Sequence, residues 1–485
     1  MCQAYDVVMR KAGMLAVAVL LTPPLFAQAP YVQRIEVSVV NVDVTVTDKH
    51  GDAVPGLKRE DFEIFEDGAP QPVTNFYAVE HAHERTATAS TEDPRFRRKV
   101  LLLIDKYSLT AHDRDRALRR VEEFIDDRFR GGEYDWSIAS VGMELQMLLP
   151  PTSDKAAIHE AISQIRHGNV PQLPMLASLG SKPLSFFDRA ALRDQSLALT
   201  ASMDAIVDAT RAFGATEGKK VILLVTSGLL AVDWNVPDLN VAKWLTTMRN
   251  GLIAEANASN VSLYIINPEG ASAANSAMYW IAHDTGGRVI PGPNVERSLQ
   301  QFDVASSNYY SLGYRPSHAD DARYHRIEVR VHRANVVVQY RTGYSSLSDE
   351  VQAERTFDSP FGVFMVNSSA IPITLAFDTP RDAGDALIVP MKTIVPAAAL
   401  QFLPSGDGTS SRIEIYISAF DAAGRSVRQT HLTRDATLGK GDANNGTFVE
   451  TTEMYFKKNN PYRVVVAVRD DATEAIGVIQ QIVQY

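Results

Sequence analysis

The sequence predicts an α/β protein built on a doubly wound, mainly parallel sheet, flanked by a small N-terminal β module and a C-terminal β-sandwich. Between Lys99 and Ile266, continuous apolar runs alternate with segments of helical period, the pattern of strands buried on both faces with helices crossing over them. Over residues 31–80, apolar and polar residues alternate with a period of two and are broken by turn residues. From 350 to 485, short strand-like runs are separated by Gly, Asp and Pro clusters, which reads as a sandwich.

At the start of the chain, Arg10 and Lys11 precede an apolar stretch, Met14 to Leu21. Pro23, Pro24 and small residues around Ala27 and Ala29 follow. This has the three regions of a secretory signal, with cleavage expected near Ala27 or Ala29; an uncleaved membrane anchor is the alternative. The stretch is short for a bilayer and no later run of about 18 apolar residues occurs, so the processed chain is expected to be exported, periplasmic or secreted, without a transmembrane anchor. Cys2 is the only cysteine, which excludes an intramolecular disulfide and a cysteine-based zinc site. It lies ahead of the apolar stretch, which disfavours a lipid anchor.

In the N-terminal module, Ile35 to Thr47 alternates, with Asn41, Asp43 and Thr45 on the polar side. Asp48 to Gly51 and Val54 to Gly56 supply turns, and Phe62 to Phe65 a strand ending at Glu66-Asp67-Gly68. Residues 81–97 are polar and aperiodic and read as a linker. The α/β domain, 98–345, opens with the buried strand Val100 to Ile104. Thr110 to Arg130 is a helix carrying Ala117, Leu118, Val121, Phe124, Ile125 and Phe129 at helical spacing. Strands at Trp136 to Val141 and Leu145 to Leu149 follow, then helices at Ser153 to Ile165 and up to Phe213. A strand at Val221 to Val225, a helix at Val241 to Ala258 and a strand at Val261 to Ile266 complete the pattern. Strands near Tyr309 to Tyr314, Ile327 to Val331 and Val336 to Tyr340 either edge this sheet or bridge to the next module. The C-terminal strands are expected at Ile371 to Phe377, Ala386 to Val389, Arg412 to Ile417 and Tyr462 to Val468.

Composition agrees with this organisation: 485 residues exceed one core and imply about three domains of roughly 150 residues. Hydrophobic residues at 45% and charged residues at 22% fit a packed globular chain. A net charge of −10 with no segregated basic stripe argues against nucleic acid as a partner. Neither a phosphate-binding Walker A loop nor a Gly-x-Gly-x-x-Gly turn occurs, so nucleotide binding has no support.

In a doubly wound sheet, ligands bind beyond the carboxyl ends of the strands, here near Asp105, Ser227 and Asn267. A carboxylate and hydroxyls at those tips offer oxygen ligands to a hard cation, leaving one position for a partner's carboxylate. The residues have plainer uses too: Thr110 and Asp113 have capping-box spacing, and Ser108 serves a turn. His81-x-His83 has metal-like spacing but no third ligand nearby, so a solvated pair is the better reading. Ser227 follows a buried strand as a hydrolase nucleophile does. Its neighbours Val225 and Leu229 are not the glycines of a nucleophile elbow, although Ser227, Asp233 and His283 supply a triad on paper. Tyr309, Tyr310, Tyr314, Tyr340 and Tyr344 read as strand packing rather than as interface anchors.

From Asp105 to Gly287 the chain resembles von Willebrand factor type A (VWA) domains, and as a whole the VWA-related proteins first grouped in acidobacteria. The resemblance is carried by Val44-Thr-Val-Thr-Asp48 through Gly51, Val54, Leu57, Glu60-Asp-Phe62 and Glu66-Asp-Gly68. It continues through Met203-Asp-Ala-Ile206, Asp284-Thr-Gly-Gly-Arg288, Tyr309-Tyr310 with Leu312-Gly-Tyr314, and Arg341-Thr-Gly-Tyr344. It implies a VWA-like sheet and the position of a metal-ion-dependent adhesion site, which in the superfamily uses Asp-x-Ser-x-Ser, a later Thr and an Asp after the fourth strand. Asp105 matches, Tyr107 and Leu109 stand in place of the serines, Thr200 matches by its offset from Met203, and Ser227 replaces the second aspartate. The resemblance therefore implies a degenerate site in which Asp105 and Thr200 are the remaining ligands. Mg²⁺ or another divalent cation would bind there weakly or not at all.

The expectation is an exported protein that binds a protein partner or other ligand without chemical turnover, through a face made by Asp105, Tyr107, Ser108, Thr200 and Ser227. The alternatives are an extracytoplasmic serine hydrolase using Ser227 and an envelope scaffold acting through the C-terminal sandwich.

Overall fold

The structure is a computed structural model that describes residues 39–80, 98–128, 134–168, 186–214, 218–227, 239–268, 277–292, 295–316, 321–347, 349–366, 368–405, 408–438 and 446–485, with the isolated positions 216 and 318. The signal segment with Cys2, the linker with His81 and His83, and Asp233 lie outside the described residues.

The first strand, β1 (Val40–Asp48), turns Val40, Val42, Val44 and Val46 inward, as its alternation requires. At its end the Asp48 carboxylate accepts from the backbone N–H of His50 (2.8 Å) and Asp52 (3.0 Å), closing the turn. Then come β2 (Phe62–Glu66), β3 (Ala69–Gln71) and β4 (Asn75–Glu80). Asp67 and Gly68, at φ 49° and 83°, form the two-residue connection between β2 and β3, the twist a tight hairpin needs.

The central layer runs β5 (Arg98–Asp105), α1 (Ala111–Arg128), β6 (Tyr134–Val141), β7 (Leu145–Thr152), α2 (Lys155–His167) and α3 (Phe186–Phe213). It continues with β8 (Lys220–Val225), α4 (Leu239–Ala258), β9 (Val261–Asn267), α5 (Ala277–Asp284), β10 (Val289–Pro291) and α6 (Val295–Ser307). The sheet order is β10-β9-β8-β5-β6-β7, parallel throughout except for β7, which runs antiparallel to β6. Successive residues of β5 serve opposite cores. Leu101 and Leu103 pack with Met203, Ile206 and Leu252 of α3 and α4, while Val100, Leu102 and Ile104 pack with Leu118, Val121, Ile162 and Phe302 of α1, α2 and α6. Both faces are covered, which is why the strand reads as an unbroken apolar run. The chain leaves β5 toward β6 on one side and resumes at β8 on the other, so the β5/β8 junction is the topological switch point.

After α6 the chain returns to the N-terminal strands. β11 (Asn308–Tyr314) inserts between β1 and β4, with Val44 opposite Tyr310 and Ala78 opposite Tyr310 on the other edge. β12 (Tyr324–Val331) pairs with β2, placing Ile327 opposite Glu66; β13 (Val336–Gln339) pairs with β1, and β14 (Gly343–Ser345) with β12. Strands 308–345 therefore complete two four-stranded sheets with residues 40–80 and do not edge the six-stranded one. Valines of β1, Phe62, Ile64, Tyr310, Leu312, Tyr314, Ile327 and Val329 form their shared core. Thr45, expected on a polar face, is buried: α6 lies against that face and Thr45 Oγ1 donates to the Ala305 carbonyl (3.1 Å).

The last part begins with two helices absent from the sequence reading, α7 (Asp349–Asp358) and α8 (Gly362–Met365). There follow β15 (Thr374–Phe377), β16 (Arg381–Ala383), β17 (Ala386–Pro396), β18 (Leu403–Ser405), β19 (Gly408–Phe420), β20 (Ser426–Leu438), β21 (Thr447–Lys457), β22 (Pro461–Asp470) and β23 (Ile476–Gln484). They form one antiparallel sheet of β15, β16, β17 and β21 and another of β18, β19, β20, β22 and β23. Val389, Met391 and Phe456 from the first meet Ile413, Ile415, Val464 and Val466 from the second in one core. The other side of the second sheet, Tyr416, Phe420, Val465 and Ala467, joins Phe357, Phe361 and Phe364 in the apolar cluster that lines the α3/α4 side of the central sheet. No helix among the described residues is long and apolar enough to cross a membrane.

Candidate functional site

Asp105 is the last residue of β5, Thr226 and Ser227 directly follow β8, and the switch point brings them together. The turn after β5 is closed by the Asp105 carboxylate, whose Oδ1 accepts from Tyr107 N (3.0 Å) and Ser108 N (3.3 Å). Oδ2 accepts from Thr226 Oγ1 at 2.8 Å. A carboxylate has no hydrogen, so Thr226 spends its single proton there. Its Oγ1 also stands 2.9 Å from Ser108 Oγ, whose hydroxyl bonds Asp105 as well. Ser108 Oγ in turn accepts from Ser227 N at 3.1 Å. Ser227 N–H, the hydroxyls of Ser108 and Thr226 and the Asp105 carboxyl thus form one connected network. Ser227 Oγ donates to the Ser108 carbonyl.

Asp105, Thr226 and Ser227 are buried, while Tyr107 and Ser108 keep partial exposure. Burial pushes the Asp105 carboxyl above the ordinary aspartate range, against the downward pull of its bonds from Ser108, Thr226 and the Tyr107 amide. The ring of Tyr107 lies where a side chain on Gly142 would stand: a Cβ there would come within 2.8 Å of Tyr107 Cε2. Met143, the next residue, is 55% exposed. Thr200 sits near the middle of α3, half-buried. Thr110 caps α1, with Asp113 N donating to Thr110 Oγ1 (3.1 Å) and Thr110 Oγ1 donating to Asp113 (2.6 Å).

Of the predicted face, the structure joins Asp105, Ser108 and Ser227 in one network and adds Thr226, whose hydroxyl at the end of β8 contacts both Asp105 and Ser108. Its signal was its place at the end of a buried strand. The Asp105 oxygens face donors of the chain itself, whereas a divalent cation needs about six oxygens and balancing charge. Ser227 Oγ has its proton on a carbonyl rather than on a base, and His283 bonds Asp284 (2.9 Å) and stacks on Tyr279. The described residues of the paper triad thus show no serine–base contact.

A second polar cluster, read from the sequence only as a turn and packing tyrosines, lies in the β2/β12 layer. Glu66, His318 and His325 each place a ligand-type atom within 4.8 Å of one another. Tyr314 and Tyr344 donate to Glu66 Oε2 at 2.5 and 2.9 Å, and His318 Nε2 is 2.8 Å from Glu66 Oε1. His325 faces Asp67 through Nδ1 (2.8 Å) and Asp321 through Nε2 (3.1 Å). Burial works against charge on His325, but the two carboxylates outweigh it and hold the imidazole above its usual value. The available signal was positional. His325 falls on the inward row of β12 with Ile327 and Val329, where a polar residue needs a partner.

No family model matches the chain, and no curated protein matches it. Among solved structures it is similar to an aerotolerance-related membrane protein from Bacteroides fragilis, at 13% identity over 43% of this chain and 98% of that one, with a TM-score of 0.26. It is also similar to the conserved hypothetical protein BatB from Bacteroides thetaiotaomicron (16% identity, 42% and 97% covered, TM-score 0.25). Manganese-loaded TRAP protein from Plasmodium vivax gives 11% identity, 51% and 94% covered, and a TM-score of 0.29. At these scores the likenesses decide nothing, and the architecture rests on the strand order itself.

Proposed function

We propose that the chain is an exported binding protein whose VWA-like central layer engages a protein partner at the strand tips, around Tyr107, Ser108 and Met143, without a metal ion at Asp105 and without chemical turnover. The observation that carries this reading is the use of both Asp105 oxygens. They hold the loop after β5 and the start of the loop after β8 in one fixed arrangement, so the carboxylate organises the face instead of reaching out from it. Tyr107, seated against Gly142 beside an exposed methionine, supplies the rigid aromatic contact that interfaces favour. The charged and apolar segments at the N-terminus support export.

The test is capture from cell-envelope extract by the immobilised chain, with and without EDTA, alongside a broad ester and peptide hydrolysis screen. The reading expects a specific partner whose capture survives EDTA and is lost in Tyr107→Ala and Met143→Asp. Capture abolished by EDTA and by Asp105→Ala, or hydrolysis lost in Ser227→Ala, would overturn it.

A further inference from the structure

We infer that the cleft where β1 and Arg341 meet the amino ends of β8 and β9 binds one chloride-sized monovalent anion, at the end of the central sheet opposite the strand tips.

The cleft follows from how two sheets meet. Lys219 and Lys220 stand at the start of β8, Asn260 and Ser262 at the start of β9, and these strands run parallel. Asp43 of β1 and Arg341, just past β13, close the space from the side of the N-terminal strands. A bridge between Thr285 and Arg341 fixes that wall to the central layer. What is left has room for one water-sized body or ion.

The donors around it are unspent. Lys219 is only 8% exposed, and among the described residues its ammonium makes no hydrogen bond; it stands over the ring of Tyr309, 4.1 Å from the centroid. A ring face attracts a cation but offers its three N–H groups no lone-pair acceptor. The Arg341 guanidinium gives Nη1 to the Asn257 carbonyl (2.5 Å) and Nη2 to the Asn41 carbonyl (2.7 Å), while Nε is buried without a partner. The Asn260 amide and the Ser262 hydroxyl add donors on the same wall.

Charge points the same way. Lys219, Lys220 and Arg341 line the cleft against one carboxylate, Asp43. Asp43 attracts both Lys219 and Arg341, yet among the described residues neither cation has a carboxylate within 4.0 Å. Lys220 Nζ donates to the Gly214 carbonyl (3.1 Å), so it contributes field more than contact. Burial, opposed by Asp43 and aided by the Arg98 charge, holds the Lys219 ammonium below its ordinary value. A buried charge without a partner is costly, and an anion beside Lys219 offsets that cost where a water does not. Asp43 repels a multiply charged oxyanion more than a singly charged ion, and the space is too small for four oxygens. A halide meets both conditions.

The experiment uses the full chain in sodium gluconate, titrated with NaCl at constant sodium and constant ionic strength. Chlorine magnetic-resonance line broadening reads binding, and thermal unfolding reads its coupling to stability. Expected are a saturable broadening that bromide displaces and a melting temperature that climbs with chloride. Lys219→Met, which keeps the apolar stem against Tyr309, should abolish both effects. Asp43→Asn removes the opposing charge and should tighten binding by roughly tenfold. Asp105→Asn, at the far end of the sheet, should behave as the parent, so failure here leaves the strand-tip reading untouched. If Lys219→Met fails to fold, crystals of the parent soaked in bromide should show an anomalous peak beside Lys219 Nζ. Broadening that does not saturate, binding unmoved by Lys219→Met, or a cleft holding water and no bromide overturns the inference.

Discussion

Thr226 Oγ1 stands 2.8 Å from Asp105 Oδ2, a bond between the ends of two neighbouring parallel strands at the point where the sheet reverses its winding. Removing the hydroxyl leaves a buried carboxylate oxygen without its donor. Thr226→Val, nearly the same shape, should therefore lower unfolding free energy by about 1–3 kcal/mol. Asp105→Asn should cost less than Asp105→Ala, because an amide still accepts from Tyr107 N and Ser108 N. Denaturant titration of the three variants checks this, and a change in Thr226→Val below about 0.5 kcal/mol would show that the bond holds nothing.

Stability should also depend on pH through Asp208. Burial raises this α3 carboxyl from 3.8 to about 6, against the Ser359 bond and the Arg211 charge, which pull it down. Between those two values the folded chain holds a proton that the unfolded chain has released, so stability declines as pH rises across that window and levels off above it. Discounted for partial exposure, the effect is on the order of 1–2 kcal/mol. Melting curves from pH 4 to 7 should show the decline in the parent and a reduced slope in Asp208→Asn; equal slopes would remove Asp208 as the cause.

The glycines of Asp284-Thr-Gly-Gly-Arg288 have separate reasons. Gly286 sits at φ 77°, and a Cβ on Gly287 would stand 1.9 Å from the Leu263 carbonyl oxygen. Thr285 Oγ1 accepts from Leu263 N at 3.1 Å and donates to Ile281 O at 2.7 Å, so the end of α5 is fastened directly to β9. Gly287→Ala should cost about 2–4 kcal/mol and Gly286→Ala about 1–2 kcal/mol. Thermal unfolding orders the two; an equal or reversed order contradicts the contact.

Deleting residues 350–485 should not leave a soluble remainder. Phe357, Phe361, Phe364, Tyr416 and Phe420 belong to the same apolar cluster as Leu101, Leu103 and Val141, so the cut strips one face of the α3/α4 packing. Large exposed apolar surface promotes association. Size-exclusion chromatography should show aggregation of the truncated chain, and a monodisperse, cooperatively melting product would refute this.

What the sequence revealed followed from local physics. Val100 to Ile104 read as a doubly covered strand because every residue is apolar, and Thr110 with Asp113 marked a helix start because three-residue spacing makes the cap. Asp105 stood out as a carboxylate at the end of such a strand. Residues fixed by distant partners were not visible. Thr45 looks like an outward threonine until α6, some 260 residues later, closes over it. Val464 to Val468 is apolar on both faces because β22 separates two cores, a difference no run of valines discloses. β20 and β21 carry enough charge to pass for loops, and their pairing with β19 and β17 makes them strands. The Glu66 cluster gathers residues more than 250 positions apart, and Thr226 gained its role only once β8 was placed beside β5.

The middle position of β11 sets an order of events during biosynthesis. β1 and β4 are separated by a strand that emerges from the ribosome only after the whole central layer has been made. Until residue 314 is released, the early valines have no neighbour on that edge, and pairing across so long an intervening loop is slow. The nascent chain therefore carries its first strands unfinished until the central layer has been made, with their apolar faces exposed in the meantime.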